Sequence, residues 1–598
     1  MKNLKIYIAF LSALFIAPMV MANKGNDDVV FKALNDEMKR SMSQLQYEDY
    51  KKPFYIGYSL TTSHYSRIKA SLGTLINSDD RHRNSGGVNL KVGDYQLNDE
   101  KFNDKANKVR HHDGYSTIPK NLDYDGIRRS YWLMTNNTYK NASEKYKNKK
   151  MVMTQHGMSE ESMKCPDFSK EESVIKLIEA LPDEKTQQEL ENFTRELSMK
   201  FKGASFLINS EVELGYQNNL YYFINSEGSK IKIPFRFYVV KVTASAFSGK
   251  NKPFEQKLEY YANSYSDLPS MTDIKGDIQS LILNMKDCAE APVFDDTYYG
   301  PVLFTDHSVP ELLFKRIFER GEGLIASPRS LVNDAKKGLQ VSTMKSWDDL
   351  KEKKVIDRRL SIHLEPYLDT YNDVKLIGNH QLDLEAVKPK EKVNLVEAGI
   401  LKEQINGRVP TITQHNSNGH LRFYVSERGI RKKTGPSVVK VTSALKNTPK
   451  ELQAKMKELA EEEYLDHVFV VRTLKTKANY APVNYYKLNL ESGEEQLVFS
   501  VNFKFEKTKL MKVKGVGDKE VVHNTIVPDY KDIAAMRKKY ERYPEEYRAM
   551  VMRDMGTQGT PSTLICPNAI LFESVELSGV RNQIKAKKRV VPNPLAAK

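Results

Sequence analysis

Cysteine is scarce in this chain. Its 598 residues include three, Cys165, Cys288 and Cys566, far apart and without any C-x-x-C pair. Zinc ribbons and iron–sulfur clusters need closely spaced thiolates, so both are excluded. A disulfide framework is excluded as well: at most one bridge could form, leaving one thiol over. Glycine (30) and proline (24) stand at ordinary levels, which rules out collagen-like or linker-dominated chains. No 20–50-residue period is present, so solenoids and propellers are not expected. Several catalytic strings are missing too. There is no G-x-x-x-x-G-K-[ST] phosphate loop, no G-x-S-x-G elbow, and neither H-E-x-x-H nor H-E-x-x-x-H among the 12 His.

The chain does have enough apolar residues, 40%, to build real cores. Its length fits two to four domains. Lys and Arg (92) outnumber Asp and Glu (77), giving a net charge of +15. Such a balance invites a nucleic-acid reading. The basic runs, however, are short and scattered: Lys147-Asn148-Lys149-Lys150 and Lys585–Arg589. They read as solvated surface and weak attraction to acidic partners.

The N-terminus argues for a compartment. Met1-Lys2-Asn3-Leu4-Lys5 precedes an apolar run from Ile6 to Ala17, and Val20-Met21-Ala22 supplies small residues at the end. This is the grammar of a secretory signal peptide cleaved after Ala22. The run is too short to span a bilayer, which takes about 20 residues. Cleavage would remove Lys2 and Lys5 and leave a mature chain of 576 residues with charge +13. A periplasmic or secreted protein follows, with no transmembrane anchor and no nucleic-acid partner.

Apolar spacing predicts a first helix capped by Asp28 with the stripe Val30, Leu34, Met38, Met42, Leu45. Strands are expected at Pro53–Leu60, Ile68–Ile76 and Val88–Val92, followed by an exposed polar loop over 97–122. A helix is expected from Ile127 to Tyr146 and a pair of helices between Lys170 and Lys200. The turn Ser226-Glu227-Gly228-Ser229 should join Asn219–Asn225 and Ile231–Val242 as a hairpin. A helix over Thr272–Met285 then carries Ile274, Ile278, Leu281 and Met285 on one face. The main boundary falls near 289–299. In the second half, Ser308-x-x-Glu311 and Thr448-Pro449-x-Glu451 read as helix starts. The first of these helices packs Leu313 and Ile317 and stops at Gly321. Strands are expected at Pro301–Phe304, Val468–Arg472, Tyr485–Leu490, Leu497–Phe505 and Leu571–Glu576. The class is α+β in two domains: an N-terminal α/β-type domain over 23–290 and a C-terminal domain over 300–598, rich in antiparallel β-structure.

Chemistry is harder to find. His111-His112-Asp113 sits in a polar loop, where neighbouring His point to different sides. Asp348-Asp349 and Glu494-Glu495 are charged pairs of the solvated kind. Cys566, before Pro567, reads as a small buried hydrophobe. The densest cluster is His415-Asn416-Ser417-Asn418-Gly419-His420-Leu421-Arg422. An Asn-Gly turn brings backbone close, so His415, Asn418, Gly419, His420 and Arg422 are pocket candidates, against the alternative of a solvated turn. His415 and His420 with a carboxylate could also hold a metal.

Several segments, in order, resemble the TldD/PmbA family of metallopeptidases, also called modulators of DNA gyrase. They are Pro53-Phe54-Tyr55-Ile56-Gly57-Tyr58, Val88–Tyr95, Arg128-Arg129-Ser130-Tyr131-Trp132 and Tyr222–Gly228. Gly300-Pro301-Val302-Leu303-Phe304 leads into the helix where the family's metal motif would lie. Asp383-Leu384-Glu385-Ala386-Val387 resembles D-x-E-G-V with Ala in place of Gly. Leu395–Leu401 resembles a hairpin of the form (I/V)-E-x-G-x-L, and Ser417–Arg422 resembles S-x-G-[HN]-x-R. The resemblance implies a heteromeric peptidase acting on peptides or unfolded chains. One subunit type holds zinc through H-E-x-x-x-H; the PmbA-like type lacks the motif and helps enclose the substrate. This chain falls on the lacking side. No catalytic or metal residue carries over, zinc would come only from a TldD-like zinc-bearing paralogue, and the signal peptide departs from the cytoplasmic habit of known members. The alternative is a non-catalytic peptide- or glycan-binding protein on the same fold.

Overall fold

The computed structural model describes residues 24–107, 114–159, 165–249, 252–318, 323–341, 347–426, 431–504, 512–528 and 558–579. The segment expected as a signal peptide, with Ala22, and His111-His112-Asp113, Gly321 and Lys585–Arg589 lie outside the described residues. No described helix is long and apolar enough to cross a membrane.

A seven-stranded sheet organises the first half. Its centre is two long antiparallel hairpins, Pro53–Ser71 with Thr74–Val92 and Asn209–Asn225 with Lys230–Phe247. The first strand of each pairs with the other along its length. Side chains alternate across a strand, and here both faces are apolar. The even-numbered residues Ile56, Tyr58, Leu60, Tyr222 and Ile224 pack under α1 (Lys24–Gln44) and α2 (Tyr124–Gln155). Further along the same face, Ile68, Val212, Leu214, Tyr238 and Val240 meet α3 (Gln187–Ser198) and α4 (Met271–Glu290). The odd-numbered residues Tyr221, Phe223, Phe235 and Phe237 face the second half of the chain.

The second half holds a six-stranded and a seven-stranded sheet. One core joins them: Ile362, Val441 and Leu564 from the first, Val302, Phe469 and Phe572 from the second. Within this core lies α5 (Ser308–Phe318). On the outer face of the seven-stranded sheet, α6 (Pro449–Glu462) buries Leu452, Met456 and Leu459. The α+β class holds.

The expected hairpin 219–242 and the Thr448–Glu451 capping box are present. Other expectations need correction. The first helix begins at Lys24, so Asp28 lies inside it and is not its cap. Ile68–Ile76 is no single strand: Leu72 and Gly73, both at positive φ, turn the chain there. Between Lys170 and Lys200 stand a short strand (Ile175–Leu177) and only one helix of the expected pair. Ser308 is the first residue of its helix, and its hydroxyl donates to the carbonyls of Thr305 and Val471. Among its described residues, the segment 97–122 is not a solvated loop. Leu97, Phe102 and Ile118 enter the core, and Phe102–Asp104 pairs in parallel with Leu331–Asp334. Within the basic run, Lys149 is fully buried. It donates to the carbonyls of Asn98 and Glu100 and pairs with Asp167. Position on α2, not composition, decided its role.

Cys165, Cys288 and Cys566 are all buried free thiols. Burial pushes Cys288 up to about 11 and Cys566 well above the ordinary thiol value. Neither is poised as a nucleophile.

Candidate functional site

Four of the segments quoted for the resemblance, Pro53–Tyr58, Val88–Tyr95, Tyr222–Gly228 and Asp383–Val387, meet where the first sheet touches the second half. Gly57 pairs with Asn225, and Asn89 donates to Glu385 across 2.9 Å. The Tyr221 hydroxyl donates to the Leu384 carbonyl at 2.7 Å. Arg408 reaches across to Glu227 with two 2.7 Å bonds and lies over the rings of Tyr55 and Phe168. These contacts tie the two halves into one seam.

The Asp383–Val387 turn is built by its first residue. Buried Asp383 accepts from the backbone N–H groups of Glu385, Val387 and Leu421. Burial and the nearby Glu385 charge raise it to about 7, against those three donors. Ala386 sits at φ 64, the left-handed region that favours glycine. The matching family pattern has Gly there.

The second turn positions the candidates taken from the sequence. Gly419 has φ +73, and a Cβ on it would lie 2.7 Å from the Pro389 nitrogen, so only glycine fits. Asn418 is buried; it accepts from the Asn406 N–H and donates to the Gln404 carbonyl. His420 is fully buried. Its Nδ1 meets the Asn418 carbonyl at 2.7 Å and its Nε2 meets the Ser437 hydroxyl at 3.2 Å. Burial and the Arg422 charge push it down to about 3, so it is neutral. Both ring nitrogens are committed and offer nothing to a metal. His415 is exposed on the loop. The structure does not assemble these two His into a metal site. Buried Arg422 donates to the carbonyls of Gly378, Pro436 and Pro561.

Two cavities flank this partition. One, about 270 Å³, is lined by Ile178, Leu181, Ile233, Phe235, Leu382 and Phe423, with Arg236, His380, Gln381 and Arg422 at its polar side. The Phe235 and Phe423 rings meet at 4.6 Å, tilted by 31°. The other, about 500 Å³, is polar, with Lys91, Lys145 and Lys432 facing Asp99, Glu100 and Glu385. Leu421 lines both.

The aromatic cavity also borders an open stretch of sheet edge. Ile175–Leu177 pairs with residues 230–232, and Pro253–Ala262 pairs with residues 238–247. Among the described residues, no strand covers that edge between Ile233 and Phe237. The Lys232 carbonyl accepts from Ile178 on that side, and alternation turns the backbone groups of Arg236 the same way. Pro234 withholds one donor. An extended chain could add there by backbone hydrogen bonding, with a side chain in the Phe235–Phe423 pocket.

The helix where the resemblance places a zinc motif does not fit a metal. In α5, Val309, Leu312, Leu313, Phe314 and Ile317 are all buried in the apolar core. These five positions provide no donor for a cation, and the one carboxylate of the helix is Glu311 in its first turn. At the helix start, His307 and His523 bring their Nδ1 atoms to 3.4 Å. Burial lowers both, His523 to about 3.

Sequence reading did not bring together Phe235, His380 and Phe423, which line the aromatic cavity with Arg422. Phe235 lies nearly 190 residues from Phe423, and only tertiary folding joins them.

No family model matches the chain, and no curated protein matches it. Solved structures do. One is a protein of Thermotoga maritima named for a proposed role as modulator of DNA gyrase. It is 12% identical, with a TM-score of 0.52, covering 91% of this chain and 100% of that one. Another is TldE of Thermococcus kodakarensis, 12% identical, with a TM-score of 0.50, covering 92% and 100%. At such identity the likeness establishes the fold: this chain has the fold of the DNA gyrase modulators, the TldD/PmbA type, over nearly its whole length.

Proposed function

We propose that this TldD/PmbA-type chain is a non-catalytic, peptide-binding subunit. It works beside a zinc-bearing relative in the proteolysis of peptides or unfolded chains, in a periplasm or outside the cell. The observation that carries the reading is the contrast between two places. The helix where the resemblance puts the metal motif is packed with Leu, Phe and Ile. The seam nonetheless keeps an aromatic cavity beside an open sheet edge. Zinc and its activated water belong, in this reading, to the partner; this chain contributes grip on the peptide.

Co-expression with a secreted relative that carries H-E-x-x-x-H tests it. A stable complex should form, and peptide cleavage should fall when this chain is omitted or carries Phe423→Ala. If no complex forms, or cleavage is the same without this chain, the subunit reading is wrong. Stoichiometric peptide binding by the isolated monomer, with no partner, would instead support a stand-alone binding protein.

A further inference from the structure

A second constellation lies on the helix-bearing face of the first sheet, and the subunit reading does not depend on it. His64 and His82 pair directly across the Pro53–Ser71 and Thr74–Val92 hairpin, so both side chains leave the same face. Their rings stack at 4.2 Å, with 11° between planes. Asp80, two residues before His82, shares that face and approaches His64 Nε2 to 2.6 Å. One donor atom from each of His64, Asp80 and His82 lies within 4.8 Å of the others. Among the described residues, no other group of His, Cys, Asp or Glu meets that condition.

The other side of His64 is also held. Its Nδ1 meets Asp183 at 3.0 Å. Asp183 in turn accepts from the Tyr216 hydroxyl and from Asn218. Those bonds outweigh burial and hold the Asp183 carboxyl below the usual range. A neutral imidazole has one N–H. With its N–H turned to Asp183, the ring presents Nε2 on the side of Asp80 and His82, where one divalent ion could be shared among the three. Carboxylate–imidazole–metal relays have this arrangement, in which the outer carboxylate fixes the tautomer and raises ligand basicity.

We propose that His64, Asp80 and His82 form a divalent transition-metal site of the zinc class, with Asp183 as its positioning residue and water completing the coordination. Two imidazoles and one carboxylate suit zinc, nickel or copper over calcium or magnesium. Zinc bonds of about 2.0–2.2 Å bring donors of one ion roughly 3–4 Å apart, so the exposed Asp80 and His82 side chains must turn their donors, out of the present ring stack, onto one ion with His64 Nε2. The site also reaches the aromatic cavity. Asn218 donates to the Leu181 carbonyl and Arg236 to the Pro182 carbonyl, and Leu181 lines that cavity. A metal on His64 would tighten the Asp183 bond and hold that wall.

The test is zinc titration of the untagged, metal-stripped full chain by calorimetry, with elemental analysis after dialysis. One equivalent of Zn2+ should bind and Mg2+ should not. His82→Ala and Asp80→Asn, both at exposed positions, should lose at least tenfold in affinity. Asp183→Asn should lose about 10–100-fold, with unchanged circular dichroism in all three. The idea is overturned if wild type takes up no Zn2+, Ni2+ or Cu2+, or if the folded variants bind as tightly as wild type.

Discussion

Replacing Arg408 by methionine should loosen the two halves of the molecule from each other. The guanidinium is 1% exposed and bonds both oxygens of Glu227 at 2.7 Å. Its Nη2 also donates to the Ser169 carbonyl, and it lies 4.2 Å from the Phe168 ring centroid and 4.9 Å from that of Tyr55. Removing one partner of a buried pair costs about 3–5 kcal/mol, because the remaining charge is stranded. Glu227 keeps two other donors, the Tyr95 hydroxyl and the Asn225 amide, which places the expectation near the lower end, about 3 kcal/mol. The assay is urea unfolding of Arg408→Met, Glu227→Gln and the double variant. The coupling in that cycle should be at least about 2 kcal/mol, since the residues share one network. The two tryptophans allow a sharper readout. Trp132 lies on α2 and Trp347 in the second half. In Trp132→Phe and Trp347→Phe backgrounds each half reports alone. The two transitions should coincide with Arg408 present and separate without it. A loss under about 1 kcal/mol, with transitions still superimposed, would refute the argument.

Two further outcomes follow from the geometry. His523, fully buried and depressed to about 3, is neutral in the fold but charges in the unfolded chain below about pH 6.5. Its contribution is complete above that pH and is lost as pH falls toward 3, about 1.4 kcal/mol per unit. Asp383, raised to about 7, runs the opposite way, so the slope of the whole protein is a sum. His523→Phe isolates one histidine and should gain about 2 kcal/mol on wild type between pH 7 and pH 5; parallel stability curves would contradict this. Gly419→Ala meets both a left-handed φ and the Pro389 nitrogen, and should cost about 1–3 kcal/mol in chemical unfolding while displacing Arg422 from the cavity wall. A neutral result there would mean the turn relaxes freely.

Legibility from sequence followed the range of the interactions. The stripe Val30, Leu34, Met38 and the Thr448–Glu451 box are local patterns, and they appear as helix face and cap. The strand Pro53–Ser71 was read as interrupted after Leu60 because polar residues such as Arg67 stay in strand by pairing with Glu213 on the neighbouring strand. The segment 97–122 was misread because its polarity is internal: Asn98, Asp99 and Asp104 are buried and spend their hydrogen bonds inside. The Ser417–Arg422 cluster was visible as a dense polar turn around Gly419. Its role was not, since His420 is committed to Asn418 and Ser437 while Arg422 reaches the cavity.

The sequence by itself determined the class, the lack of an H-E-x-x-x-H string, the glycine turns, and the lack of closely spaced cysteines and of a phosphate-loop string. Each of these depends on residue identity or on spacing within a turn or two of chain. Tertiary structure alone decided that Lys149 is buried and not solvated, that Phe235 meets Phe423, and that His64, Asp80, His82 and Asp183 share one face. Those outcomes depend on strand register and on contacts between segments tens to hundreds of residues apart. A slip of one residue in the hairpin would send His82 to the opposite face of the sheet.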